Sequence, residues 1–154
     1  MRKVYVGVIG AGTCDSETYQ MAYEVGRLIA LNRACLLCGG LSGVMEAAAK
    51  GSKDAAGMTI GILPGKDKKA ANPFIDVTVA TGFNEGRNVI IATTADALIA
   101  VGGEFGTLSE IALGLKMNKP VISLKSWEIK GVIPASSPED AVRKALEAVG
   151  ASKG

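Results

Sequence analysis

Between residues 101 and 115 the chain reads VGGEFGTLSEIALGL. Gly102, Gly103, Gly106 and Thr107 lead into an apolar helical period, and Glu110 follows at its first turn. A glycine turn opening a helix leaves peptide N–H groups free at the helix's positive end, which suits a phosphate. Glu110 admits two readings. An acid near a helix N-terminus gains about 0.3–1 kcal/mol from the dipole alone. Alternatively, its carboxylate points into the phosphate's cleft. There it could stabilise positive charge developing on a sugar, or act as base or nucleophile, as carboxylates do in glycosidic cleavage.

Arg87 and Asn88 stand on a segment just before the strand that delivers this turn. Arg87 either pairs with Glu85 or Asp96, or clamps a phosphate or a hydroxyl pair with its fork of donors. Two further glycine clusters end apolar runs. Gly10-Ala11-Gly12-Thr13 supplies the first two glycines of a dinucleotide fingerprint, but Asp15 occupies the place of the third. The ribose-binding acid expected about twenty residues on has no clear counterpart, which disfavours a plain NAD site. The cluster is then either a tight strand-to-helix turn or a backbone wall around a base or sugar. In Gly39-Gly40-Leu41-Ser42-Gly43, Ser42 is placed to cap the next helix, and the glycines would let backbone approach a ligand. The Lys-Ser/Thr pair of a P-loop is missing.

Composition narrows the chemistry. There is no histidine among the 154 residues, which removes Ser-His-Asp and Cys-His catalysis and the commonest transition-metal ligand. Lysine plus arginine number 17 against 15 acids, so the chain lacks the basic field of a nucleic-acid binder. Cys35 and Cys38 would lie on opposite faces of a strand, and with Cys14 they read as small apolar residues in a reducing compartment, not as a metal site. No lysine stands in a context for a pyridoxal Schiff base, so no cofactor is expected and a decarboxylase is not supported. The amino terminus reads as a strand without a signal-peptide pattern, and no apolar run approaches bilayer length; the expectation is a cytoplasmic protein that binds no membrane.

The elements that would position these residues alternate. Apolar runs at 4–9, 34–38, 58–63, 75–79, 97–101 and 121–124 read as strands. Helical periods occupy 16–31, 42–55, 84–94, 107–117 and 138–149, with Asp15 or Ser16 as first cap and Pro138 at the last helix's first turn. Residues 66–72 read as an exposed loop, and 151–154 as a frayed tail. Apolar strands alternating with helices predict one Rossmann-like α/β domain over 1–150. It would be a doubly wound, mainly parallel sheet of about six or seven strands with helices on both faces. Ligands of such sheets bind beyond the strands' carboxyl ends, where the three glycine clusters fall.

Taken together, GFNEGRN…ADALIAVGGEFGTLSE and the upstream GGLSGVM resemble the signature of the LONELY GUY-type phosphoribohydrolases, long labelled possible lysine decarboxylases. The resemblance runs from Val4 to about Leu124. It implies a catalytic pair, Arg87 and Glu110, with Gly102, Gly103, Gly106 and Thr107 holding a 5′-phosphate. The implied reaction cleaves the N-glycosidic bond of a nucleoside 5′-monophosphate to free base and ribose 5-phosphate. Gly10, Gly12, Thr13, Gly39, Gly40, Ser42, Gly43 and Asn88 complete the expected binding set. Loops 12–17 and 65–74 would face the base. Val101 stands where that family has proline, and Asn88 where it has lysine. In those departures and in its shortness, the chain looks more like a side branch that includes molybdenum-cofactor carrier proteins. A carrier would use the same loops on a pterin phosphate without chemistry. The resemblance also implies a homo-oligomer, dimer or tetramer, with helices 42–55 and 84–94 as candidate contact faces.

Overall fold

The computed structural model describes residues 2–153, with side chains through residue 151. The chain alternates strands and helices: β1 (Tyr5–Ile9), α1 (Ser16–Leu31), β2 (Cys35–Cys38), α2 (Val44–Asp54), β3 (Thr59–Leu63), β4 (Val77–Ala80), α3 (Arg87–Thr94), β5 (Ala97–Val101), α4 (Phe105–Lys116), β6 (Val121–Leu124), β7 (Ile133–Ala135) and α5 (Pro138–Lys153). All strand pairs are parallel, in the order β4-β3-β2-β1-β5-β6-β7. This is the doubly wound α/β sheet that the alternation predicts.

Strand side chains alternate between two cores, as the period of two requires. Val6, Val8, Leu36, Ala97, Ile99 and Val101 face the layer of α1, α2 and α5. Ile9, Leu37, Leu98 and Ala100 face α3 and α4 through Ile91, Ala92 and Ile111. With both faces covered, the inner strands can be apolar at every position. Helices α1 and α2 cross on facing glycines. A Cβ on Gly26 would overlap the Ala48 carbonyl, and one on Gly51 the Tyr23 carbonyl.

Several boundaries differ from the sequence reading. The fourth strand starts two residues later and ends one later than 75–79, and Ile75 packs beside Gly61 ahead of it. As an edge strand, β4 leaves Val77 and Val79 exposed. β7 was not among the runs read as strands. Pro134 sits in it, which an edge strand tolerates because that side of its backbone is unpaired. Helix α4 starts at Phe105, two residues early. Helix α5 continues through residues 151–153, where a tail was expected, and Gly154 lies outside the described residues. No helix among the described residues is long and apolar enough to cross a membrane.

Candidate functional site

Successive connections leave β1 in one direction, through β2 to β4, and return to place β5 on its other side. That reversal opens a crevice at the carboxyl ends of the strands. A cleft of about 510 Å³ occupies it, lined by residues 8–13, by Gly39, Leu41, Ser42 and Met45, and by Arg87, Asn88, Glu104, Gly106, Thr107 and Glu110. All three glycine clusters therefore reach one cavity.

Helix termini define its polar character. Asp15 caps α1, its Oδ1 accepting from the Thr18 N–H at 2.8 Å. Helices α2 and α4 begin without a side-chain cap. Ser42, expected to cap α2, instead donates its hydroxyl to the Gly12 carbonyl at 2.7 Å, tying the first two glycine loops together. Gly43 takes the cap position at φ 66°, so close to Ala11 and Gly12 that a Cβ would overlap their backbone. At α4, Glu104 is extended (φ −119°, ψ −150°) and its carboxylate makes no cap bond. Gly103 bends the turn at φ 107°, where a Cβ would overlap Thr107. The Val44 N–H donates to the Ala11 carbonyl at 3.1 Å, and the other first-turn N–H groups of α2 and those of α4 are left at the cleft, the arrangement that binds anions.

Arg87 forms neither expected ion pair. Its Nη1 donates to the carbonyls of Gly39 (2.7 Å) and Ile62 (2.6 Å), stapling the ends of β2 and β3. Gly39 must be glycine for this, since a Cβ would stand 2.6 Å from Nη1. Asp96 is occupied elsewhere, accepting from the Tyr5 N–H at 2.8 Å. Asn88 is buried; its amide donates to Ser109 Oγ at 3.2 Å, and Ser109 in turn donates to the Gly106 carbonyl at 2.6 Å. Asn88 Oδ1 has no partner. Through this relay α3 holds the turn that opens α4.

Glu110 is 8% exposed and makes no hydrogen bond or ion pair among the described residues. Burial pushes its carboxyl up to about 7, against the pull of Arg87. The same burial lowers Arg87 from the usual guanidinium value, and Glu110 opposes that shift. Beneath the cleft, burial pushes the Cys38 thiol up to about 11, so it is no nucleophile.

Of the expected residues, Gly10, Gly12, Thr13, Gly39, Ser42, Arg87, Asn88, Gly106, Thr107 and Glu110 line the cleft. Gly40, Gly43, Gly102 and Gly103 do not; they shape the turns behind it, all at positive φ. Sequence reasoning missed Val8, Ile9, Ala11, Leu41, Met45 and Glu104. Each lies within a glycine cluster or no more than two residues from one, and that proximity was the available signal.

A model of the SLOG cluster4 family matches residues 3–150. The chain belongs to that family. A protein of Archaeoglobus fulgidus is 52% identical over 143 residues, 92% of this chain and 94% of its own. Among solved structures, the molybdenum cofactor binding protein of the phototrophic bacterium Rippkaea orientalis matches with TM-score 0.91 and 40% identity, covering 96% of this chain and 98% of its own. The molybdenum cofactor carrier protein of Chlamydomonas reinhardtii matches with TM-score 0.89 and 35% identity, covering 97% and 99%. The resemblance to the carrier-like side branch is therefore borne out along nearly the whole chain.

Proposed function

We propose that this SLOG cluster4 protein binds and carries a phosphorylated small ligand of the molybdenum-cofactor type, a pterin phosphate, without transforming it. The observation that supports this most is full-length similarity to a molybdenum cofactor binding protein at 40% identity. The cleft fits the reading. Uncapped N-termini of α2 and α4 offer peptide N–H groups to a phosphate, with Thr107 beside them. Arg87 spends Nη1 on two carbonyls and so acts first as a brace of the cleft floor. Three free cysteines suit a cytoplasmic setting.

Phosphoribohydrolase activity is the second reading, favoured by one feature. Glu110 is a buried, unpartnered carboxyl one turn from the anion site, as a group facing a sugar would be.

A second copy of the chain would contact α3 and the turn before it, where Phe83 is 64% and Val89 44% exposed. Helix α2, the other candidate face, is packed against α1 and has its apolar side buried.

Incubation with AMP, GMP, IMP, CMP and UMP separates the two readings. A carrier releases no free base from any of them. Base release that disappears in Glu110→Gln would replace the carrier with a hydrolase.

A further inference from the structure

Phe105, the first residue of α4, is 80% exposed although it stands between two residues that line the cleft, Glu104 and Gly106. Its ring stacks on Trp127, with centroids 6.1 Å apart and planes inclined by 28°. Trp127 follows β6, on the side of β5 away from the cleft floor at β1 and β2.

The segment carrying Trp127 is fastened to the glycine turn at two points. Ser126 Oγ donates to the Gly102 carbonyl, and Trp127 Nε1 donates to the Glu104 carbonyl at 3.2 Å. The aromatic pair is thus built onto the phosphate turn. Trp127 is partly buried against the core of α3 and α4, whereas Phe105 stands outside it, and charged groups flank the pair: Glu104 beside Phe105, and Lys125, paired with Glu17 at 2.5 Å, just before Trp127. Small aromatic islands within a charged rim suit a flat ring better than a protein face, which needs a broad apolar patch.

We propose that Phe105 and Trp127 form a stacking platform for a second planar ring, carried on the far side of the ligand's phosphate. One ring would lie in the cleft between the first two glycine loops. The phosphate would sit at the start of α4, and the other ring on Phe105. This rests on the reading of the cleft as a phosphate-ligand site, and it makes the preferred ligand a dinucleotide-type diphosphate.

GDP and diguanosine 5′,5′-diphosphate, which differ by the second guanosine, test it. Trp127 is the single tryptophan of the chain, so all tryptophan fluorescence comes from the platform. The dinucleotide should bind roughly five- to a hundredfold more tightly than GDP, the range for stacking one base. It should also quench Trp127 more deeply than GDP does. Phe105→Ala should erase the difference in affinity and Phe105→Tyr should keep it. Equal affinities in the wild type, or a Phe105→Ala variant that weakens both ligands by one factor, would overturn the platform and leave the phosphate site standing. Binding of neither nucleotide would overturn the platform, and retention of a pterin phosphate would then decide whether the reading beneath it stands.

Discussion

Arg87 and Glu110 line one cleft and feel each other's charge, yet they form no ion pair. Arg87 is held back by the carbonyls of Gly39 and Ile62, and Glu110 is left as a buried carboxyl without a hydrogen bond. An acid in that position is a cost to the fold, and its effect on stability has a definite sign.

Folded Glu110 keeps its proton up to about pH 7, whereas the unfolded chain releases it near 4.5. Between those values the native state binds more protons, so stability falls as pH rises through the window. Glu110→Gln should remove this slope. At pH 8 the variant should be more stable than the wild type by up to about 3 kcal/mol, the shift from 4.5 to about 7 converted to free energy. Urea denaturation at pH 5 and pH 8 measures both. A wild type equally stable at the two values would show that Glu110 is not buried as described.

Arg87→Ala should destabilise the protein by about 1–3 kcal/mol, because two buried carbonyls lose a charged donor. Arg87→Lys should restore only part of that, since an ammonium on a flexible stem does not reproduce the fork's geometry. Thermal unfolding of the two variants beside the wild type gives the comparison. Loss of ligand binding with no loss of stability would make Arg87 a ligand contact and not a brace.

Gly51→Ala should cost about 1–3 kcal/mol or more, although alanine is the better helix former by about 1 kcal/mol. Its Cβ would enter the Tyr23 carbonyl, so α1 and α2 would have to separate. Gly150→Ala serves as the control, because nothing lies within 4 Å of a Cβ there. The two should move the unfolding midpoint in opposite directions or by clearly different amounts.

Thiol labelling reads the burial of the cysteines. Cys14 is part exposed, whereas Cys35 and Cys38 are buried. An aromatic disulfide reagent at pH 8 should label Cys14 first in the native protein, and all three thiols after denaturation. Rapid labelling of Cys38 in the native state would contradict a closed floor beneath the cleft.

Much of the fold was legible because its signals are local. Continuous apolar runs marked the strands from β1 to β6 to within a few residues, and glycine clusters marked the ends of β1, β2 and β5. β7 was hidden because Pro134 argues against a strand until its edge position is known. At the site, spacing brought Arg87 and Glu110 to one cleft but not to their partners. Ser42 resembles a cap in sequence, yet the approach of the Gly12 carbonyl from 30 residues away decides its bond. Likewise Arg87 is fixed by carbonyls 48 and 25 residues distant, contacts that no local pattern records. Phe105 carried no signal until its exposure and its pairing with Trp127 were known.

Retention of a pterin phosphate by the intact protein tests the central claim most directly. The protein would be mixed with molybdenum cofactor freed anaerobically from a donor enzyme, passed through gel filtration, and the oxidised pterin measured by fluorescence in the protein peak. The wild type should retain pterin in proportion to protein and return it chemically unchanged. Gly103→Ala, whose Cβ would displace Thr107 at the anion turn, should retain little. Pterin that elutes free of the wild type, or that Gly103→Ala retains equally well, would contradict a phosphate-bound cargo at the start of α4.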